Sequence, residues 1–454
     1  MTMFEFGREL RRILGQNVLG LSARSDPDTS LYELMNLEML IAQGHSLDAE
    51  ISRVSNRNTL ELCLESALIW REYARRTGDA LAVRKATTAA EKAGSAAISG
   101  MDAARAARVQ ADICLLSYDL FETADLLGSA ESLLAQARAA VDPNHHHALD
   151  AAFTLTEARL IARLALRKGM GSDLDPALEA MAHIDRAVEK YDHLVRISGA
   201  TRDKIEAANA RIERCDLLAL VGIDRQDSRL LKAVIKELEA LKVRFDPQFE
   251  PLTSARITQR LALVQAHLGQ IDGAPALVAE ALSVLGLKTD LLPYEHSPMD
   301  WLTHKQTMAT SLQVLAELSG EDRLSDQALS LYDLALSKPL QKGLSLRAEL
   351  TNNRAACVTR RAELKGDLMA LDAAETAFKT ELQITNPNED PVGWAILQAN
   401  LGRLYVSRSD LTGFMPGRTE ITYALEAARD IFEEFGLKSL LGLTDHNLMR
   451  IRQA

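Results

Sequence analysis

The 454-residue sequence contains few aromatic residues and no long apolar run. Phe, Trp and Tyr together make up 5% of the chain, which argues against an all-β fold, because strands favour aromatic and β-branched residues. No run of 18 apolar residues occurs, so the sequence predicts no membrane-spanning helix. The N-terminus also lacks the uninterrupted apolar region of a signal peptide. A cytoplasmic location is therefore the default expectation.

Cysteine is scarce, and the charge balance is not basic. The four cysteines lie far apart with no CxxC pair, which predicts buried reduced thiols at Cys63, Cys114, Cys215 and Cys357. The formal net charge is −11. Non-specific nucleic-acid binding is not expected, because it depends on basic residues that face phosphates.

Catalytic and cofactor-binding signatures are absent from the sequence. There is no GxxxxGK[ST] phosphate loop, HExxH motif, GxSxG elbow or EF-hand loop. We therefore expect a non-enzymatic protein without a cofactor, and an enzyme with an unrecognised site around Glu295-His296 is the least favoured class. The cluster His145-His146-His147 does not predict a metal site, because consecutive helical residues point about 100° apart.

The sequence does contain a repeated pair of amphipathic helices, which is clearest over residues 312–339. Leu312 and Ala316 share one face of a first helix, and a polar break, SGEDRLSD, follows. Ala328 and Tyr332 share one face of a second helix. A small residue at Ala328 lets the two helices approach closely, because helix separation depends on the side chains at the contact.

This pattern resembles the tetratricopeptide repeat, a helix–turn–helix unit that stacks into a solenoid. Similar pairs recur over roughly residues 60–435, in about eight units. Asn400-Leu401-Gly402 and Tyr405 match the first-helix motif of the family well. The resemblance implies an all-α fold, a right-handed solenoid of stacked helical hairpins.

One long irregular stretch is predicted to divide the solenoid. The two halves of the array are residues 51–285 and 301–436, and the loop 286–300 lies between them. Residues 1–50 and 437–454 do not match the repeat and are predicted to cap its two ends, because terminal repeats must cover an apolar face.

The N-terminal segment leaves other interpretations open. Phe6, Leu10, Ile13 and Leu14 form an apolar stripe, which a docking or self-association helix would also show. A homo-oligomer formed through residues 1–50 is therefore an alternative to simple capping. A membrane-surface helix is less favoured, because the stripe is short and its positive charge is modest.

The resemblance also implies that the first helices line a concave groove that binds another protein or a peptide. Its groove positions correspond here to Arg256, Gln259, Gln313, Asn353, Arg354, Asn400 and Arg403. Arginine and asparagine can hydrogen-bond a carboxylate or a peptide backbone, so an acidic segment or a C-terminus is the expected ligand. For any single residue of this set, a solvated surface position is the alternative.

Two functions are consistent with these expectations. The first, which the sequence favours, is a non-enzymatic scaffold or adaptor that binds a partner peptide or helix in an open concave groove. The second is a regulatory sensor that binds a signal peptide or small ligand in a closed helical-repeat pocket, which should be mostly apolar with a few convergent polar groups. A compact ring of helices would favour the sensor, and an open arc would favour the scaffold.

Overall fold

The computed structural model describes residues 29–53, 59–123, 125–168, 175–286, 291–341, 343–388, 390–415, 417–435 and 437–453. A short 3₁₀ helix (Ser30–Glu33) and helix α1 (Leu37–Ile51) precede eight helical hairpins, and helix α18 (Lys438–Gln453) follows them. The hairpins are α2 (Thr59–Thr77) with α3 (Ala80–Ser95), α4 (Gly100–Phe121) with α5 (Asp125–Arg138), α6 (His147–Lys168) with α7 (Asp175–Ser198), α8 (Thr201–Asp224) with α9 (Ser228–Lys242), α10 (Pro251–Ile271) with α11 (Pro275–Leu285), α12 (Pro298–Ser319) with α13 (Asp322–Leu336), α14 (Ser345–Lys365) with α15 (Leu368–Ile384), and α16 (Pro391–Thr412) with α17 (Arg418–Glu434).

The hairpins confirm the predicted all-α solenoid. In each one the first helix packs against the second, and each hairpin packs against the next. The division at 286–300 stays a prediction: α12 begins inside that range, at Pro298, and it contacts both α10 and α11. Helices α1 and α18 lie where the caps were predicted, whereas the stripe at 6–14 lies outside the described residues. No helix in the described ranges is long and apolar enough to cross a membrane.

Small residues set the separation of the two helices within a hairpin. Ala328 is completely buried between α12 and α13, beside the equally buried ring of Tyr332. A Cβ added to Gly269 on α10 would lie 2.5 Å from Cγ2 of Val278 and 3.0 Å from the carbonyl oxygen of Ala274. These positions have no room for a larger side chain, as the spacing of the repeat predicts.

Aspartate side chains begin several of the second helices. Asp79, Asp227 and Asp367 precede α3, α9 and α15, and each carboxylate accepts a hydrogen bond from a backbone N–H of the first turn. Such a cap satisfies an amide that the helix itself leaves without an acceptor. The tight turns of the hairpins are therefore fixed by local chemistry.

The cysteines lie on first helices and form no disulfide. Cys63, Cys215 and Cys357 are buried, as predicted, while Cys114 is half-buried. Burial raises the pKa of each of these four thiols, so they are held in the neutral form that suits a structural role.

The first helices form a closed ring rather than an open arc. Contacts run from α2 through α4, α6, α8 and α10 to α12, and α12 in turn contacts α2. One turn further along the solenoid, Oγ of Ser345 on α14 donates a hydrogen bond to the carbonyl oxygen of Leu120 on α4, at 2.8 Å. The 3₁₀ helix also joins the ring, because the Glu33 carboxylate accepts from the backbone nitrogens of Leu252 and Thr253 at the start of α10.

Candidate functional site

The ring of first helices surrounds a cavity of about 430 Å³, which we call the ring cavity. Helices α2, α4, α6, α8 and α10 line it, together with the start of α12 and the 3₁₀ helix. Charged side chains make up about half of its lining. They are Arg71, Arg75, Arg108, Arg159, Arg163, Arg202, Arg256 and Arg260, with Glu33, Glu72, Asp112, Asp119, Glu206, Glu213, Asp216 and Asp300. A sensor was expected to have a mostly apolar pocket. The ring cavity is instead lined by equal numbers of arginines and carboxylates.

Ion pairs connect the inner helices on one side of the ring. Asp112 on α4 lies 2.8 Å from Arg71 on α2 and 3.4 Å from Arg159 on α6. Glu213 on α8 lies 3.0 Å from Arg159 and 2.7 Å from Arg163. Although burial raises the pKa of Glu213, Arg163 and Arg159 outweigh it and lower the value to about 2. The carboxylates of the network are therefore charged at neutral pH.

The same pattern continues on the other side of the ring. Arg260 on α10 lies 2.9 Å from Asp216 on α8. Arg75 on α2 lies 3.0 Å from both Asp300 on α12 and Glu72 on its own helix. Burial alone would raise the pKa of Glu72, but Arg75 and the neighbouring Arg76 hold it well below its usual range. Ion pairs thus link α12 to α2 and α10 to α8, which helps to close the ring.

Arg256 stands apart from this network although it lines the same cavity. Its Nε donates a long hydrogen bond, 3.4 Å, to the carbonyl oxygen of Leu252, and no carboxylate of the described residues forms an ion pair with it. Burial, and then the positive charge of Arg75, lower the pKa of this half-buried side chain. The carboxylates of Asp300, Glu33 and Glu72 act in the opposite direction. A guanidinium that forms no ion pair in such a place can still bind an anionic group.

A second cavity, of about 640 Å³, lies among α14, α16 and α18, and we call it the C-terminal cavity. Asn400 and Arg403 line it. Nη2 of Arg403 is 3.4 Å from Oε2 of Glu363, and Nδ2 of Asn400 donates to Oδ1 of Asn352 at 2.9 Å. The structure therefore brings two of the predicted site residues together, in a cavity separate from that of Arg256.

The remaining predicted residues line neither of these cavities. Gln259 is 3% exposed and donates to a threonine hydroxyl of α12 at 3.3 Å. Gln313 accepts from the hydroxyl of Tyr332 at 2.7 Å. Arg354 forms an ion pair of 2.5 Å with an aspartate of α13, and Asn353 is half-buried on α14. A binding role for these four residues stays a prediction.

Sequence reasoning missed most residues of the ring cavity, although a signal for them was present. Arginines recur four positions apart on three first helices, at 71 and 75, 159 and 163, and 256 and 260. Residues four apart share one face of a helix. Paired arginines on the inner face of otherwise alanine-rich first helices would have indicated a charged interior.

The histidines that the sequence analysis considered for metal binding or catalysis make ordinary side-chain contacts. Nδ1 of His145 lies 2.6 Å from the Asp142 carboxylate, and the ring of His147 stacks edge-on against that of His193. The ring of His296 donates from Nε2 to the carbonyl oxygen of Glu33 at 3.1 Å. Among the described residues, no group of three potential ligands is arranged to hold a metal ion.

Comparisons with known proteins give structural similarity alone. No protein-family model and no curated protein matches the chain. A Rap protein solved in complex with competence and sporulation factor is 8% identical, with a TM-score of 0.44, over 92% of this chain and 98% of that one. A circular tandem repeat protein is 13% identical, with a TM-score of 0.28, over 94% of this chain and 97% of that one. The TPR domain of P58(IPK) is 14% identical, with a TM-score of 0.22, over 92% of this chain and 99% of that one. Similarity at this level does not assign a family or a function.

Proposed function

We propose that the chain is a non-enzymatic sensor that binds a small ligand bearing a carboxylate, with a short peptide as the preferred class, in the ring cavity. The observation that carries this proposal is the guanidinium of Arg256, which lines the cavity without an ion-pair partner among the described residues. A ligand carboxylate would accept two charge-assisted hydrogen bonds from this guanidinium in fork geometry.

The closed ring supports a sensor more than it supports a scaffold. A cavity of about 430 Å³ lies within the range of roughly 300–1,000 Å³ that small-molecule sites occupy. A helix about 10 Å across would fill that volume with about one turn, so a partner helix does not fit the closed ring. A single small molecule or a short extended peptide does.

Binding in this place would also have a mechanical consequence. The cavity is lined by the first helices of six hairpins, and contacts between α2 and α12 close the ring. A ligand that touches several of these helices stabilises the closed ring relative to any open form, because it binds the closed form better. Ligand occupancy would thereby be transmitted to the outer surface of the solenoid.

The scaffold remains the second candidate function, located in the C-terminal cavity. This cavity is larger than the ring cavity. The side chain of Arg403 is 42% exposed, and among the described residues its one ion pair is the long one to Glu363. An acidic or C-terminal peptide segment of a partner protein would compete with Glu363 for this arginine. We place this candidate second because Arg403 already forms an ion pair with the Glu363 carboxylate.

A retention experiment separates the two candidates. Wild-type protein, Arg256→Gln and Arg403→Gln are incubated with a low-molecular-mass extract of the source cells and then washed. They are then denatured, and the released molecules are identified by mass spectrometry. The sensor proposal expects a carboxylate-bearing component on the wild type and on Arg403→Gln, but not on Arg256→Gln.

The opposite pattern contradicts the sensor proposal. Retention by Arg256→Gln and its loss from Arg403→Gln would support the second candidate. Equal retention by all three proteins, or by none of them, would contradict the sensor. Thermal melts of the three proteins show that each is folded before the comparison is made.

A further inference from the structure

A second unpaired charge lines the ring cavity, and its sign is opposite to that of Arg256. Glu206 on α8 is half-buried and lines the cavity. Its Oε2 accepts a long hydrogen bond, 3.5 Å, from Nδ2 of Asn209. No arginine or lysine of the described residues forms an ion pair with Glu206, although the cavity holds eight arginines.

The other carboxylates of the cavity are all engaged. Six of them form ion pairs with arginines, namely Glu72, Asp112, Asp119, Glu213, Asp216 and Asp300. The seventh, Glu33, accepts hydrogen bonds from two backbone nitrogens and from the hydroxyl of Thr253 at the start of α10. Glu206 is therefore the carboxylate of the lining that makes neither an ion pair nor a contact with a helix terminus among the described residues.

Most arginines of the cavity are engaged in the same way as the carboxylates. Five of the eight form ion pairs with these carboxylates, and Arg108 and Arg202 make further interactions of their own. Arg256 is left with its long hydrogen bond to Leu252. Among the described residues, Arg256 and Glu206 thus carry opposite charges that no ion pair engages, and they lie on the neighbouring inner helices α10 and α8.

We infer that the ligand of the ring cavity is a dipolar ion, whose carboxylate binds Arg256 and whose ammonium group binds Glu206. This inference rests on the proposed function and adds the ligand class, which is a short peptide with both termini free or a free amino acid. A half-buried charge without an ion pair has lost part of its hydration, and a ligand with two complementary charges offsets that cost at both residues at once.

The surroundings of Glu206 suit an ammonium group. An ammonium group has three N–H donors, and beside the carboxylate the cavity offers the side-chain amide of Asn209 and the hydroxyl of Tyr191. Burial, and then the negative charge of Glu206, raise the pKa of Tyr191, which keeps the hydroxyl neutral and able to accept a hydrogen bond. Glu206 and these two acceptors form the negative pole of the proposed site, and the guanidinium of Arg256 forms its positive pole.

Three pools of the same random tripeptides test the inference. The first pool has free termini, the second is N-acetylated, and the third is C-amidated. Binding of each pool to wild type, Glu206→Gln and Arg256→Gln is measured by equilibrium dialysis with mass spectrometry. The wild type should bind the free pool at least about tenfold more tightly than the N-acetylated pool, because acetylation removes a charge-assisted hydrogen bond.

The variants assign the two poles. Glu206→Gln should bind the free and N-acetylated pools alike and still reject the amidated pool. Arg256→Gln should lose the distinction between the free and amidated pools. The comparison of pools on the wild type needs no substitution, so a variant that fails to fold leaves the test intact.

The failures of the two proposals are distinguishable. Equal binding of the free and N-acetylated pools by the wild type overturns the dipolar ligand and leaves the carboxylate sensor standing. Equal binding of the free and amidated pools overturns both. If no pool binds, and the component from the retention experiment bears a carboxylate but no ammonium group, the dipolar inference is wrong and the sensor proposal holds.

Discussion

Arg75 on α2 and Asp300 on α12 form an ion pair, with 3.0 Å between Nη1 and Oδ2, although 225 residues separate them in the chain. Both side chains are largely buried, at 17% and 13% exposure. Burial raises the pKa of Asp300, but Arg75 outweighs it and holds the value below its usual range. This pair joins the first hairpin to the sixth, so it helps to close the ring around the cavity.

We predict that Asp300→Asn weakens this closure. Removing one partner of a buried charge pair costs roughly 2–5 kcal/mol, because the remaining charge is left without compensation. The variant should therefore melt at a lower temperature, and its radius of gyration in X-ray scattering should be larger. The matched control is Asp372→Asn, since Asp372 is 71% exposed in its ion pair with Arg408 and should change stability by about 1 kcal/mol or less. Equal effects of the two substitutions would contradict a closed ring.

A second prediction concerns the close approach of α10 and α11. Gly269→Ala should destabilise the protein, because the new Cβ would meet Cγ2 of Val278 at 2.5 Å and the backbone oxygen of Ala274 at 3.0 Å. Gly128→Ala is the control, since a Cβ at Gly128 has nothing within 4 Å. That control should stabilise helix α5 by about 0.5–1 kcal/mol, the usual gain of alanine over glycine in a helix. In a chemical denaturation series, Gly269→Ala should lower the free energy of unfolding and Gly128→Ala should raise it.

A third prediction tests the contact between α12 and α13. Ala328 is completely buried, so Ala328→Leu should overpack the contact and cost roughly 1–3 kcal/mol. Gln327→Leu introduces the same side chain one residue earlier, where the position is exposed, and should stay within about 0.5 kcal/mol of wild type. If both variants melt alike, the register of this hairpin is wrong.

A fourth prediction concerns pH. Burial, and then the carboxylate of Asp390, raise the pKa of Glu122 to about 7, and Glu349 acts in the same direction. An unfolded glutamate has a pKa of about 4.3, so between about pH 4.3 and 7 the folded state binds more protons than the unfolded state. The contribution of Glu122 to the free energy of unfolding therefore falls as pH rises through this window.

Glu122→Gln removes that contribution. The variant should melt at a higher temperature than wild type at pH 8, and the difference should shrink toward pH 4, where Glu122 is protonated in both states. Glu131→Gln, at an exposed position of α5, is the control and should follow wild type at every pH. A variant that tracks wild type across the whole range would contradict the raised pKa of Glu122.

The local architecture was predictable from the sequence. The spacing of Ala328 and Tyr332, the glycines at 269 and 402 and the polar breaks between helices are properties of single hairpins. They depend on residues fewer than about 45 positions apart, a scale on which helix periodicity and turn chemistry act directly. All eight hairpins were found in this way.

The ring and its cavity were less accessible from the sequence. Whether α12 returns to α2 depends on the small rotation between successive hairpins, which accumulates along the solenoid and leaves no mark at any single residue. Arg256 was predicted as a binding residue from its repeat position, but its distinguishing property is that it forms no ion pair with the described residues. That property depends on where Asp216, Glu213 and Asp300 lie in space.

The most direct test of a carboxylate site at Arg256 is a crystal structure of the protein with the component retained from the cell extract. The account predicts that this component lies inside the ring cavity, with a carboxylate about 2.7–2.9 Å from the guanidinium of Arg256. Electron density for it in the C-terminal cavity, against Arg403, would contradict the account.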